Sequence, residues 1–569
     1  MNRKKDELQT PQSLGRRTLL KGVAFAGGAT VLSPTLAPRL ATAATPAPQI
    51  NSLIIASDSH SVVETTSGKV RGYSQNGIFT FKGIPYGATT AGKARFLPPV
   101  KPVSWPGVRS SMQYGQVCPQ AVRTGWSNDE VAFLFDWEDG QPGEDCLRTN
   151  VWSPGLKDNK KRPVMVWLHG GGYAAGSGQE LKSYHGESLA RRGDVVVVSI
   201  NHRLNCLGYL NLAQFGERYA SSVNVGMLDI VLALEWVRDN ISNFGGDPNN
   251  VLIFGQSGGG AKVSVLMAMP TAKGLFHKAV VQSGSSLRAG SMENSATLAS
   301  GVVSELGLSS TTIDQIQTVP YEKLLAAVSA AQARLRAGQT APGPGMMGLS
   351  PAVDGKILPS HPFDPTGPQL SANVPMIIGT VLNERSPSMG NAKAESMTEA
   401  DLRQQVAQTH KERADQVIAS FKKTYPSAKP VELFSLISSV RTNAITQATR
   451  KAAQNAAPAY LYLFGWQTPV LDGRPRAFHC SELAFVFNNT DRCAPMTGGT
   501  PEARELGAKV SDAWINFARK GDPNHSGLPR WPVFSADKVP TMIFDKKCEV
   551  RNDHDREARQ ATISPSLAG

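Results

Sequence analysis

The sequence predicts an α/β fold: a large, mostly parallel central sheet with helices on both faces, and a small β-hairpin region ahead of it. Three observations predict it. Short, nearly continuous apolar runs, such as Val164-Met165-Val166-Trp167-Leu168, read as strands covered on both faces. Segments with helical apolar spacing alternate with those runs, the pattern of βα units. No period of 20–50 residues recurs, which excludes a repeat protein.

The chain opens with a charged start and then Gly15-Arg16-Arg17-Thr18-Leu19-Leu20-Lys21, the form of a twin-arginine export signal. A modestly apolar stretch, Gly22 to Leu36, and small residues around Ala41-Thr42-Ala43 follow, as suits a signal peptide over residues 1–43. Residues 44–569 are then expected to form one domain, exported to the periplasm or beyond. The apolar stretch is too short and too rich in Gly and Pro for a good membrane span, so stable membrane insertion is not expected. The formal charge of +13 is partly the leader's, which carries +5, and the rest is spread thinly. The longest basic run, Lys160-Lys161-Arg162, reads as a solvated loop, and nucleic acid is rejected as a partner.

Next come β-rich runs at Val62–Tyr73 and Ile78–Phe81 around the turn Asn76-Gly77. A loop-rich region covers about 84–160, and within it Phe133 to Trp137 belong either to the core or to a substrate pocket. Buried strands are predicted at Val164–Leu168, Val195–Ile200, Val251–Phe254, Val280-Val281 and Met376–Ile378, with later strands at Tyr460–Phe464 and Met542–Phe544. Helical spacing marks 224–243, ended by Gly245-Gly246-Asp247-Pro248, and then about 400–423, 431–453 and 503–519. Ala337–Gly348 reads as a surface loop.

Two glycine motifs carry the chemistry. Gly255-Gln256-Ser257-Gly258-Gly259 follows a buried strand and precedes the helical run Ala261–Met269. A sharp strand–turn–helix bend lifts a serine hydroxyl out of a sheet and needs small neighbours. The motif alone would occur by chance about 0.4 times in such a chain, so its context gives it weight. His169-Gly170-Gly171-Gly172-Tyr173 follows strand 164–168 directly. Acyl transfer builds negative charge on a carbonyl oxygen, and backbone N–H groups can crowd that oxygen where glycine removes the side chain. Gly171 and Gly172, with the N–H of Gly258, are the expected donors of an oxyanion hole. No Gly-Lys-Ser/Thr follows, which dismisses a phosphate loop.

Six cysteines suit an exported protein, and none shows zinc-ligand spacing. Cys118 and Cys146 would close a loop of about 28 residues, worth roughly 3 kcal/mol on the chain-entropy model. Cys480 and Cys493 offer a second bridge, Cys206 reads as a buried core thiol, and Cys548 is unassigned.

With both glycine motifs, Phe81-Lys82-Gly83-Ile84-Pro85-Tyr86, Glu144-Asp145-Cys146-Leu147 and Phe244-Gly245-Gly246-Asp247-Pro248, the chain resembles the type-B carboxylesterases from about residue 60 to 550. That resemblance implies the α/β-hydrolase fold, hydrolysis of small-molecule carboxylic esters, no metal or organic cofactor, and a bridge between Cys118 and Cys146. A serine nucleophile needs a histidine base and a carboxylate to orient it, and in this fold the order is serine, acid, histidine.

Of the late histidines, His410 falls in a polar helix, His525 in a turn and His554 in a charged tail. His479 begins a segment that resembles the family's histidine segment. The resemblance places the acid at Glu384, after strand 376–378. Here Arg385 follows it where relatives commonly have Gly, and Gln256 precedes the serine where many have Glu. Asp354 and Glu482 are the rival acids. The expectation is therefore an exported serine esterase using Ser257, His479 and Glu384. The alternatives are a lipase acting at lipid surfaces and an inactive adhesion-type relative. Oligomeric state is not expressed in the sequence.

Overall fold

In the computed structural model of the protein, residues 53–121, 128–337 and 349–563 are described. They all belong to one compact unit, Asn51–Gly569. The expected leader lies outside the described residues, as does nearly all of the loop expected at 337–348.

Fourteen strands occur among the described residues. They are β1 (Val62–Thr65), β2 (Gly68–Arg71), β3 (Tyr73–Gln75), β4 (Ile78–Pro85), β5 (Val108–Ser110), β6 (Arg148–Ser153) and β7 (Arg162–Leu168). The chain continues through β8 (Val196–Ile200), β9 (Gly246–Gln256), β10 (Lys278–Gln282), β11 (Met376–Val381), β12 (Ala459–Phe464), β13 (Pro540–Phe544) and β14 (Glu549–Asn552). The main sheet has the order β14-β13-β12-β11-β10-β9-β7-β8-β6-β4-β3. Its strands from β8 through β7 and β9 to β13 are parallel neighbours, and antiparallel strands close both edges. This is the predicted mostly parallel sheet.

The apolar runs are continuous because each face of the sheet has its own core. Along β7, Val164, Val166 and Leu168 pack into one cluster while Met165 and Trp167 pack into the other. Along β9, Val251 and Ile253 alternate with Leu252 and Phe254 in the same way. Side chains alternate across a strand, so burial on both sides leaves no polar position. Helix Val225–Asn240 covers the first face through Met227, Ile230, Leu234 and Val237. Helix Pro501–Lys520 covers the second through Leu506, Val510, Trp514 and Phe517. The segment Glu217–Phe244 has the length and mean hydropathy, 1.4, of a membrane span, but 78% of its apolar window is buried inside the protein, as a core helix would be.

Several expectations need correction. Val62–Tyr73 is not one run: β1 and β2 join β5 in a separate three-stranded sheet, and only β3 pairs with β4 across Asn76-Gly77. The region 84–160, read as loops, contains β6, buried throughout and inside the main sheet. It escaped notice because Thr149, Asn150 and Ser153 are polar; each is satisfied by hydrogen bonds to Ser199 or the Phe244 carbonyl. Gly246-Asp247-Pro248 begins β9 rather than preceding it. The segment 400–423 divides at Lys411, whose φ is +49°, and 431–453 divides into Pro430–Leu436 and Val440–Ala452.

The expected Cys118–Cys146 bridge is not formed. All six cysteines are free thiols, and so no Cys480–Cys493 bridge exists either. Cys118 and Cys146 are both buried, and the neighbouring Cys118 thiol is the first cause raising Cys146 above its usual pKa, ahead of burial. Cys118 Sγ also accepts the Leu204 N–H at 3.2 Å. Cys480 is committed elsewhere, with its Sγ 3.2 Å from Gln256 Oε1. Cys206 is buried, as expected.

Candidate active site

Ser257 stands between the end of β9 and helix Gly258–Leu266, with φ +56° and ψ −123°. Few residues other than glycine adopt such a backbone. It is held by tight packing of the strand–helix bend against β7: a Cβ on Gly259 would collide with the Leu168 carbonyl, and one on Gly255 would strike Gly259. The Ser257 N–H donates to the Gln282 carbonyl on β10 at 2.8 Å.

The loop 170–172 leaves the end of β7 beside this bend. A Cβ on Gly258 would come within 2.5 Å of Gly172 N, so the first residue of the helix packs directly against the loop backbone. The peptide groups here are hydrogen-bonded on their carbonyl side. Gly170 O accepts from His169 Nδ1 at 3.0 Å, and Gly171 O accepts from Ala174 N and Ala175 N at 3.2 and 3.1 Å. Ser257 O accepts from Ala261 N at 3.0 Å. Each such bond polarises the N–H on the other side of its peptide, namely those of Gly171, Gly172 and Gly258.

Glu384 leaves β11 three residues after Val381. Its Oε2 lies 2.6 Å from His479 Nδ1, and its Oε1 accepts the Val381 N–H at 3.2 Å. The Glu384 side chain is only 4% exposed, while that of His479 is 36% exposed. Burial opposes charge on the imidazole, but the hydrogen bond and charge of Glu384, helped by Glu482, outweigh it and raise the His479 pKa above 6.5. Arg385 turns aside, its guanidinium 5.5 Å over the Phe434 ring.

The rival acids are occupied otherwise. Asp354 accepts the N–H groups of Ile357 and Leu358 and bonds Asn224. Glu482 is buried behind the site with Gln282, and burial raises its pKa to about 7.

Ser257, His479 and Gly170–Gly172 line one cavity of about 610 Å³. Its wall includes Phe135, Trp137, Leu181 and Tyr184, so the aromatic stretch left open by the sequence divides: Leu134 enters the core, Phe133 is exposed, and Phe135 and Trp137 line the cavity. Two lining residues were not foreseen. Gln256 Nε2 lies 3.2 Å from His479 Nε2 and 3.4 Å from Nδ1, which places the amide over the ring rather than along either lone pair. Cys480 supplies a thiol beside it. The presence of Gln256 before the serine was visible in the sequence; that its amide lies over the His479 ring is a contact between residues far apart in the chain.

Comparison with known proteins identifies the family. The family profile described as "Carboxylesterase family" matches residues 59–562. The para-nitrobenzyl esterase of Bacillus subtilis is 34% identical over 88% of this chain and 98% of its own length. The phenmedipham hydrolase of Pseudarthrobacter oxydans is 32% identical over 86% and 97%. Among solved structures, an esterase from Clostridium hathewayi reported to hydrolyse aliphatic aromatic polyesters is 38% identical, with TM-score 0.77 over 90% of this chain and 99% of that one. A carboxylesterase of Geobacillus stearothermophilus is 35% identical, with TM-score 0.74 over 88% and 100%. The chain has the α/β-hydrolase fold, belongs to the carboxylesterase family and is a carboxylic ester hydrolase.

Proposed function

We propose that the enzyme cleaves its esters through Ser257, His479 and Glu384 by way of an acyl-enzyme. The observation that carries this reading is the 2.6 Å pair of Glu384 and His479 opening on the cavity that Ser257 and Gly170–Gly172 also line. Glu384 accepts a hydrogen bond from Nδ1–H, which fixes the tautomer and leaves the lone pair of Nε2 for the serine. His479 takes the Ser257 proton as Oγ attacks the ester carbonyl. The resulting oxyanion rests on the N–H groups of Gly171, Gly172 and Gly258. His479 then protonates the leaving alcohol, and water releases the acid by the same proton path.

The cavity's size and aromatic wall suit a small ester with an aryl or arylalkyl portion, the class to which a para-nitrobenzyl ester belongs. The motif at Gly15–Lys21 supports export through a twin-arginine signal; recovery of the unprocessed chain in the cytoplasm would count against it. A fluorophosphonate probe followed by peptide mapping tests the mechanism, with a panel of aryl and alkyl esters run alongside. Label is expected on Ser257. Active protein that takes no label, or takes it elsewhere, sinks the assignment.

A further inference from the structure

The helix that follows Ser257 carries a lysine inside a mostly apolar run, Ala261–Met269. Lys262 is fully buried. Its Nζ donates to the backbone carbonyl of His169 at 3.0 Å, and Glu180 is the carboxylate whose charge reaches it. A buried ammonium held by a neutral carbonyl is expensive, and an apolar side chain of similar length would fill the space without that cost. Its partner makes the position informative. His169 is the residue between β7 and the loop 170–172, so this bond ties the root of the glycine loop to the helix that begins at the nucleophile.

The other titratable groups facing Lys262 are His169 and His202, whose rings stack 5.0 Å apart at 22°. Burial first, and then the charge of Lys262, push both well below 6.5. Both rings are therefore neutral at working pH, and the His169 Nδ1–H stays on the Gly170 carbonyl. The ammonium of Lys262 thus bonds one carbonyl at the root of the loop, and the neutral His169 ring bonds the next.

We propose that Lys262 is a positioning residue for ester hydrolysis: its ammonium pins the His169 carbonyl to the nucleophile helix and so holds the Gly171 and Gly172 N–H groups where the tetrahedral oxyanion forms. The inference rests on the assignment of Ser257 and the glycine loop given above. Burial draws the Lys262 pKa down to about 7. The pin is consequently charged below that range and weakens as pH rises through it, because a hydrogen bond from a neutral amine is about half as strong as one from an ammonium. The alkaline side of the kcat profile then belongs to Lys262, and the acid side to His479.

The test uses the full chain and the variants K262M and K262Q, with p-nitrophenyl acetate as substrate. The wild type should lose kcat as pH rises above neutral. Both variants should show about tenfold lower kcat, unchanged KM and no such alkaline fall. An aryl trifluoromethyl ketone gives a second readout. Its carbonyl carbon bonds Ser257 Oγ, the Oγ proton passes to His479, and the ketone oxygen becomes an oxyanion, so it should bind each variant about tenfold more weakly.

A wild-type kcat that stays level into alkaline pH overturns the proposal without any variant. An alkaline fall that persists in the variants, or wild-type ketone affinity in them, overturns it as well. If K262M does not fold, K262Q, which keeps a donor without the charge, carries the comparison. Fluorophosphonate labelling separates the two levels: unlabelled Ser257 in active wild type defeats the underlying assignment, whereas labelled Ser257 with no effect of Lys262 defeats this inference alone.

Discussion

At the scale of single residues, the site depends on how His479 is held. Glu384 raises its pKa against the opposing effect of burial. E384Q removes that influence and leaves burial opposed only by the charge of Glu482, the smallest of the causes, so the acid limb of kcat/KM should move to lower pH. The rate at the optimum should fall about 10³–10⁴-fold, as for the equivalent loss of an orienting carboxylate. A pH–rate profile of E384Q checks both, and an unmoved limb would remove Glu384 from its role.

Gln256 makes the opposite prediction. Q256E would set a carboxylate about where the amide now lies, 3.2 Å from His479 Nε2. A nearby negative charge favours the charged imidazole, so the acid limb should shift upward and activity at low pH should drop. Equal limbs in wild type and Q256E would show that the amide position is not the one that matters. Ser257 and the glycine motifs were legible from sequence because strained bends and close backbone approaches accept few residue types. The contact of Gln256 with His479 was not, since it joins residues 223 positions apart.

At the scale of elements, the bend between β9 and its helix stores strain at Ser257, whose φ of +56° costs a non-glycine residue about 1–3 kcal/mol. S257G should therefore be inactive yet more stable than S257A by about 1 kcal/mol or more, measured by denaturant unfolding of the two side by side. Equal stabilities would mean that the surrounding packing has relaxed the backbone. The strands buried on both faces were readable as apolar runs, while β6 was not. Its polar residues are buried because β8 and the Phe244 carbonyl offer partners across the sheet, and a hydropathy pattern carries no trace of those partners.

At the scale of the whole molecule, the two faces of the sheet are joined to their covering helices by packing and by a few buried charges. Arg203, just beyond β8, is 2% exposed and Asp229, on helix Val225–Asn240, is 0% exposed; they pair through Arg203 Nη2 and Nε at 2.6 and 2.9 Å. Asp229 also accepts the Arg203 N–H, and the guanidinium reaches the Leu97 carbonyl. D229N leaves a buried guanidinium uncompensated and should cost about 3–5 kcal/mol of unfolding free energy. Denaturant midpoints of wild type and variant test this, and a loss under 1 kcal/mol would place the pair among solvated ones.

The sequence by itself determined the sheet-and-helix alternation, the strand–turn–helix bend at Ser257 and the glycine loop after strand 164–168, and its motifs carried the resemblance to the family. These follow from local rules, because side-chain periodicity and glycine tolerance act within a few residues. The resemblance had already pointed to Glu384, and the tertiary structure brings that carboxylate, not Glu482 or Asp354, to His479 Nδ1; it alone decided that Gln256 lies over the ring, that Lys262 reaches the root of the loop, and that the cysteines stand unbridged. Each of these is a contact between distant segments. Such contacts are fixed by the packing of the whole sheet, which no window along the chain contains.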